Sequence, residues 1–206
     1  MLLSFDISTS VIGVSAFDNN GKLLKMNCVK FKKDYTLFEK LEQFEKEIAD
    51  FKHVEVTKII IEEPLKKFKG KFSSATTIAT LNFFNGMISS YLYTNFKIEP
   101  IYYNVITARS LVFPGVKLGA DGAKVKHNVW RGVMELEPQI NWRYSKTGKL
   151  ADENYDMADS YIVGLAYFMD IIKKEEILKK EGEKAEKSAT KVSIAKKRVQ
   201  EVKKVQ

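Results

Sequence analysis

The chain contains 206 residues, 45% of them hydrophobic and 12% aromatic, which is enough to bury one substantial core. It lacks the roughly 18 uninterrupted apolar residues of a membrane span and the basic start of a secretory signal, so a cytoplasmic protein with no membrane partner is expected. Its one cysteine, Cys28, excludes an intramolecular disulfide and a site built from several thiolates, and it is expected to be a small buried hydrophobe.

The formal net charge of +8 is unevenly distributed. Residues 173–206 contain twelve Lys or Arg and six Glu, a net charge of +6, which leaves +2 for residues 1–172. The charges of residues 173–186 balance, so the whole excess lies in residues 187–206. One domain over residues 1–174 and a basic tail, helical or disordered, over residues 175–206 are therefore predicted. The tail is either a solvated helix or a contact for phosphate backbones, and the charges alone do not choose between them.

Strands and helices alternate along the first 174 residues. Leu2–Ile7 and Val11–Phe17 are β-branched apolar runs, and a turn at residues 18–21 leads into a third strand over residues 22–31, which predicts an antiparallel meander. Helical spacing of apolar residues predicts a helix over 36–52, and the apolar strand at 56–61 suits the middle of a sheet with helices on both faces. The remaining predicted elements are a helix over 74–95, a strand over 98–103, and helices over 104–113, 121–136 and 154–174.

Four acidic residues stand in apolar settings where charge is costly. Asp6 lies inside the first strand, Glu62 ends the run Ile59-Ile60-Ile61, and Asp156 and Asp159 open an otherwise apolar helix. Carboxylates are rarely buried unless they are paired or bound to metal. Several carboxylates in one site would repel each other unless a divalent cation compensated them, so the set predicts a site for Mg²⁺ or Mn²⁺.

Some of these acids have competing interpretations. Side chains alternate across a strand, so only one of Glu62 and Glu63 can face a shared site. Asp152 would share a helix face with Asp156 at a spacing of four residues, but an aspartate at a helix start is more often a cap. Asp156 by itself could serve only to favour the helix dipole, whereas its pairing with Asp159 favours a role as ligand.

Four segments carry a recognisable order and spacing: Asp6-Ile7-Ser8-Thr9-Ser10, Ile61-Glu62-Glu63, the helix start at residues 122–126, and the late acidic helix at 151–159. In these motifs the chain resembles the RuvC family of Holliday-junction resolvases over roughly residues 1–170. The resemblance implies an α/β fold of the ribonuclease H type, a mixed five-stranded sheet flanked by helices. It implies a homodimer that nicks opposed strands of a four-way junction. The basic tail has no counterpart in the family pattern, and compact resolvases with such extra tails resemble those of bacteriophages, which implies a viral origin.

The family's catalytic and metal-binding acids correspond to Asp6, Glu62, Asp156 and Asp159. The resemblance implies that these four residues hold Mg²⁺ or Mn²⁺, with two ions in each active site. Two-metal hydrolysis of a phosphodiester needs hard oxygen ligands, one of them shared by both ions. Asp6 is expected to be the shared ligand, because its strand lies at the centre of the sheet in this fold.

Basic and aromatic residues follow the second acid. The loop at residues 64–72 contains charges for phosphates and rings for stacking on unpaired bases, supplied by Lys66, Lys67, Phe68, Lys69, Lys71 and Phe72. In the family an aromatic residue in this region wedges into the junction centre; Phe68 or Phe72 could do so, and Phe72 could equally pack in the core. Further family-based candidates for DNA contacts are Arg109, Lys117, Lys124 and Lys126, each of which is otherwise an ordinary surface cation.

Two segments keep alternative interpretations. The helix over 74–95 matches the family's dimer helix through a stripe of small and apolar residues, although the core of a monomer would produce a similar stripe. The insert at residues 139–149, which contains Trp142, Arg143 and Tyr144, is either a substrate-contacting hairpin or a loop.

The predicted function is metal-dependent, structure-selective endonuclease activity that cuts Holliday junctions and other branched DNA by paired nicks. Residues 6–10, followed by Gly13, also resemble the first phosphate motif of sugar kinases and actin-like ATPases. Those proteins need a second such domain and another glycine-rich loop, which the sequence lacks. A non-catalytic branched-DNA-binding protein is the other alternative, and it would leave the buried acids unexplained.

Overall fold

The computed structural model describes residues 1–64, 74–115 and 122–203, with side chains up to residue 180 except that of residue 176. Its centre is one five-stranded sheet, ordered β3-β2-β1-β4-β5. The strands are β1 (Leu2–Ile7), β2 (Val11–Phe17), β3 (Leu23–Lys30), β4 (Lys58–Glu62) and β5 (Ile101–Tyr103). The first three strands form the expected antiparallel meander, and β4 is parallel to both β1 and β5. The predicted mixed sheet, with β1 at its centre, is confirmed.

Strand register brings two of the acids to the same edge of the sheet. Phe5 of β1 is level with Ile61 of β4, and both strands run in the same direction. The next residues, Asp6 and Glu62, therefore emerge beside each other where the two parallel strands end. Asp6 is also level with Gly13 on the other neighbouring strand.

Six helical segments flank or extend from the sheet within the described residues. They are α1 (Leu37–Glu47), a 3-10 turn (Ala49–His53), α2 (Ala75–Phe96), α3 (Val105–Val112), α4 (Gly122–Leu136) and α5 (Glu153–Lys203). The start of α1 is fixed by a capping box, in which the Thr36 hydroxyl accepts from the Glu39 amide and the Glu39 carboxylate accepts from the Thr36 amide. Several expected boundaries differ from the structure, where the helix predicted over 36–52 is divided into α1 and the 3-10 turn and the strand predicted over 56–61 lies at Lys58–Glu62. Strand β5 begins three residues later than predicted, after Pro100, which lacks the amide proton that a ladder needs, and α5 continues well beyond Lys174.

Helices cover both faces of the sheet. On one face Phe5 and Ile61 pack with Phe44 of α1 and with Phe84 and Ile88 of α2. The other face packs against α3, α4 and the first part of α5, through buried residues that include Phe17, Ile60, Trp130 and Ile162.

Cys28 is buried, as expected, and burial raises the pKa of its thiol to about 11. The chain divides into two compact units, Met1–Phe168 and Met169–Gln206. Among the described residues, no helix is both long enough and apolar enough to cross a membrane.

Small residues allow α5 to pack directly on the backbone of β1 and β2. A Cβ atom on Gly13 would overlap the carbonyl group of Asp156 and would lie 3.0 Å from the Met157 amide nitrogen. Next to this contact, the hydroxyl of Ser4 donates to the carbonyl of Ser160 at 2.7 Å, and the hydroxyls of Ser15 and Ser160 are 2.8 Å apart. The first turns of α5 are thus held at a fixed height over the centre of the sheet.

Candidate metal centre and active site

Carboxylates from three separate elements converge at the end of the central strands. Asp6 comes from β1, Glu62 from β4 and Asp159 from α5, and one oxygen of each lies within 4.8 Å of the others. Asp156, one turn before Asp159, lines the same cleft. Two of these acids are fixed by strands at the sheet centre and two by a helix that rests on Gly13 and Ser15. The sequence-predicted acids are therefore brought together, three of them within reach of one ion.

Like charge and burial disfavour ionisation of these acids. Burial, together with the charges of Glu62 and Asp159, raises the pKa of Asp6 well above its usual value. Burial, reinforced by Asp159, raises the pKa of Glu62 to about 7. Burial also raises the pKa of Asp156 to about 6, although the positive charge of Lys126 opposes the change. A bound divalent cation would offset this repulsion, and hard carboxylate oxygens are the ligands that Mg²⁺ and Mn²⁺ prefer.

A fixed cation already contacts one of the acids. Arg109 of α3 donates to both oxygens of Asp159, through Nε to Oδ1 at 3.1 Å and through Nη2 to Oδ1 at 2.8 Å and to Oδ2 at 2.7 Å. The Asp159 side chain is buried, with 3% of its surface exposed, and the Arg109 side chain is partly buried, with 14% exposed. Burial acts to lower the pKa of Arg109, but the charge of Asp159 and its hydrogen bonds with Arg109 outweigh this effect, so the pKa is raised. Arg109 thus lies inside the cleft, and its predicted DNA contact stays a prediction.

The other predicted basic residues divide into two groups. Lys126 of α4 lines the cleft. Partial burial acts to lower the pKa of Lys126, but the negative charges of Asp156 and Asp159 together outweigh it, so the pKa is raised. Lys124 is exposed on the first turn of the same helix. Lys117 and the six loop residues Lys66, Lys67, Phe68, Lys69, Lys71 and Phe72 lie outside the described residues.

Two asparagines in the cleft were missed from the sequence. Asn85 of α2 is buried and accepts a hydrogen bond from the Ser89 hydroxyl at 3.3 Å, which in turn accepts from Tyr102 at 2.9 Å. Asn104 caps α3 and donates to the Glu63 carboxylate at 3.2 Å. Glu62, not Glu63, joins the three-carboxylate cluster. The capping role of Asn104 was detectable from its position before a helix, whereas the burial of Asn85 had no local signal.

Comparison with known proteins identifies the fold. No family model matches the chain, and no curated protein does. A structure of T. thermophilus RuvC in complex with a Holliday junction substrate superposes with a TM-score of 0.57 and 11% identity, covering 83% of this chain and 94% of that one. Another Thermus thermophilus RuvC structure superposes with a TM-score of 0.53 and 14% identity, covering 84% of this chain and 96% of that one. A Fowlpox virus resolvase in complex with Holliday junction DNA has a TM-score of 0.47 and 18% identity, covering 82% of this chain and 97% of that one.

The fold is therefore ribonuclease H-like, with the mixed five-stranded sheet and flanking helices of the RuvC structures. At this level of identity the likeness establishes the architecture.

Proposed function

We propose that this protein is a divalent-metal-dependent endonuclease that hydrolyses phosphodiesters in Holliday junctions and other branched DNA by paired nicks. The observation that carries the proposal is the convergence of Asp6, Glu62 and Asp159 oxygens within 4.8 Å of one another. They meet at the centre of a ribonuclease H-like sheet, and Asp156 lies in the same cleft. Such a cluster has no structural use that would repay the burial of like charges.

The donor set fits two Mg²⁺ or Mn²⁺ ions. Asp6, on the central strand, would be the ligand shared by both ions, with Glu62, Asp156 and Asp159 completing the set. When bound, two such ions supply an activated water and stabilise the leaving oxygen of an in-line displacement. The chain's own task is to hold the ligands rigidly, which the strands and the close packing of α5 on Gly13 accomplish.

Basic residues around the cleft would position the DNA. Lys126, beside the acids, is placed to neutralise the phosphate that enters the cleft, and Lys124 precedes it on the exposed start of α4. Arg109 would orient Asp159 in the free protein and meet the phosphate when DNA is bound. Lys117 and the loop residues Lys66, Lys67, Phe68, Lys69, Lys71 and Phe72 are proposed to contact the backbone and unpaired bases of the branch point. We also propose a cytoplasmic location, which would be the host cytoplasm for a viral protein.

We propose a homodimer, because paired nicks on opposed strands require two active sites. One face of α2 supports this arrangement. Phe84, Ile88 and Leu92 are buried in the monomer's core, whereas a different face leaves Phe83 58% and Tyr93 53% exposed. Gly86 and Ser90 on that outer face are also exposed and would let a second helix approach closely. Sedimentation of the protein at micromolar concentration would test the expected dimer.

Incubation with labelled four-way, three-way, flap and linear DNA, in Mg²⁺, Mn²⁺ or EDTA, tests the proposed activity. Symmetrical nicks in the four-way junction are expected with either metal, and none in EDTA. Asp6→Asn is expected to abolish nicking while junction binding persists or tightens, because affinity depends mainly on basic residues and the variant removes a negative charge. Equal cutting by Asp6→Asn and the parent protein would refute the role of Asp6.

A second candidate function is non-catalytic binding of branched DNA. It is favoured by one observation, the two-oxygen contact of Arg109 with Asp159, which neutralises a carboxylate without metal. A folded protein that binds four-way junctions but neither nicks them nor gains thermal stability with Mn²⁺ would support this alternative. The kinase-like alternative gains no such support, because the described residues form one sheet only.

A further inference from the structure

A small basic hairpin precedes helix α5. Residues 143–150, here called the basic hairpin, are closed by a bridge between Tyr144 and Leu150. The Ser145 amide donates to the Lys149 carbonyl at 2.7 Å, and the Lys149 amide donates to the Ser145 hydroxyl at 3.0 Å. Gly148 adopts a φ of 79°, which favours glycine and allows the tight turn. The insert that the sequence left open as hairpin or loop is therefore an ordered turn.

The surface of the basic hairpin carries positive charge only. All six residues from Tyr144 to Lys149 are exposed, and Tyr144 exposes 55% of its surface. Arg143, Lys146 and Lys149 are basic, and residues 143–150 contain no acid. Within the described part of the chain, no salt bridge neutralises Lys146 or Lys149. An exposed ring between unpaired cations is the composition of a surface that meets a sugar-phosphate backbone.

Buried groups hold the base of the hairpin rigidly. Asn154, which is fully buried in the first turn of α5, accepts from the Arg143 amide at 3.0 Å and donates to the Arg143 carbonyl at 2.7 Å. The Arg143 side chain donates to Asn27 of β3 at 2.7 Å. Trp142, which precedes the hairpin, packs edge-to-face on Trp130 of α4 with ring centroids 6.0 Å apart. A surface that is ordered in advance loses little conformational entropy on binding.

The anchor also ties the hairpin to the helix that carries two of the acids. Asn154 and Asp159 lie on the same helix, five residues apart, which is about 8 Å along its axis. One helical turn of duplex DNA spans about 34 Å. A duplex arm one turn long is therefore long enough to reach from the cleft to the hairpin.

We propose that the basic hairpin binds the phosphate backbone of a duplex DNA arm next to the cut site, with Lys146 and Lys149 pairing to phosphates and the ring of Tyr144 packing on a sugar. The proposal rests on the proposed function and adds a second DNA-contact surface to it. The hairpin would hold the arm in register with Asp156 and Asp159, because Asn154 ties both to one helix.

Binding of a labelled four-way junction in EDTA, measured by fluorescence anisotropy across a salt series, tests the hairpin without cleavage. Lys146→Ala/Lys149→Ala is expected to flatten the slope of log K against log salt by about 1.8, at about 0.9 for each lost phosphate contact. At 0.1 M salt this corresponds to a loss of affinity of up to roughly 60-fold. Lys146→Glu/Lys149→Glu should weaken binding further. Both positions are exposed, so the variants should keep the parent's melting temperature.

The matched control is Lys22→Ala/Lys58→Ala, which makes the same change of charge at the opposite end of the sheet. Lys58 pairs with Leu2 at the start of β1, Lys22 precedes β3, and both are exposed. An unchanged slope is expected for this control. Equal slopes for the hairpin and control variants would overturn the proposal. A selective loss of single-stranded DNA binding in Tyr144→Ala, with junction binding intact in the lysine variant, would also overturn it.

Nicking assays separate the two proposals. If the parent protein nicks junctions and the hairpin variants bind them normally, the hairpin has no role and the proposed function stands. If the hairpin variants lose salt-dependent binding but the parent never nicks in Mn²⁺, the hairpin inference stands and the proposed catalysis fails.

Discussion

Substitution of Gly13 by alanine should disable the active site although the residue has no reactive group. Gly13 lies on β2, level with Asp6, and the backbone of α5 at Asp156 packs against its Cα. An added methyl group would overlap the Asp156 carbonyl and lie 3.0 Å from the Met157 amide nitrogen. Neither partner is the flexible end of a side chain, so β2 and the start of α5 must separate.

The size of the effect follows from that overlap. The required separation is on the order of 1 Å, and a displacement of about 1 Å in a catalytic group can cost about 100-fold in rate. Because Asp156 and Asp159 both lie on the displaced turns, their distances to Asp6 and Glu62 would increase together. Overpacking costs about 1–3 kcal/mol of stability. For a chain of this length that corresponds to a fall of roughly 2–12 °C in melting temperature.

The assay compares Gly13→Ala with Gly164→Ala. A Cβ atom on Gly164 would overlap the ring of Phe17 and lie 2.9 Å from the Ser4 Cβ, so it also overpacks α5 on the sheet. Phe17, however, is paired with Leu2 at the end of β1 away from Asp6. Both variants should melt earlier, whereas junction nicking in Mn²⁺ should fall about 100-fold for Gly13→Ala and only a few-fold for Gly164→Ala. Full nicking by folded Gly13→Ala would show that the close approach does not set the ligand positions.

Three further results are expected. In EDTA the melting temperature should fall as pH rises from 5 to 7.5. The reason is that Glu62, with a pKa of about 7 in the folded state, keeps a proton that the unfolded chain releases near pH 4.5, so the stability that this proton contributes is lost over that interval. Mg²⁺ should reverse the fall, and a melting temperature that does not change with pH would contradict the proposed repulsion among the acids. Asp156→Asn and Asp159→Asn should each lower nicking by orders of magnitude. Only Asp159→Asn should lower the melting temperature, because it leaves the partly buried Arg109 without its ionic partner. A chain ending at Lys174 should retain metal-dependent nicking. If the net charge of +6 in residues 187–206 contacts phosphates, the slope of log K against log salt for DNA binding should be shallower in this truncated chain. An unchanged slope would identify that segment as a solvated helix.

The central part of the fold was predictable because local signals agreed with each other. Alternating and continuous apolar runs located β1, β2 and β4, and each run ended at a turn or an acid. The acids then stood out because their setting was apolar, which is a property of the sequence itself. The pairing of β1 with β2 followed from the local pattern of a meander, whereas the parallel pairing of β1 with β4 followed only from the family resemblance.

Interactions between distant residues were not predictable in the same way. Arg109 and Asp159 are 50 residues apart, and nothing in the sequence around either residue indicates the other as its partner. Periodicity shows which face of α3 points inward, but it does not show which buried group an arginine on that face will meet. The same limit applies to Asn154, whose two hydrogen bonds to Arg143 span 11 residues of insert.

The paired arginine changes what the number of acids implies about metal. Four ionised carboxylates would contribute a formal charge of −4, which would match two divalent ions with no help from the rest of the chain. Together with Arg109 and Lys126, these four acids have a formal charge of −2, which would match one divalent ion; Glu63, which also lines the cleft but is outside the three-carboxylate cluster, is not in this count. A second ion would bring these six side chains and the two ions to +2 until a DNA phosphate and a hydroxide, each with one negative charge, entered with it. If the proposed function holds, the two cations would make occupancy of the second metal position depend on bound DNA, whose phosphate supplies negative charge that Arg109 and Lys126 have already neutralised among the acids.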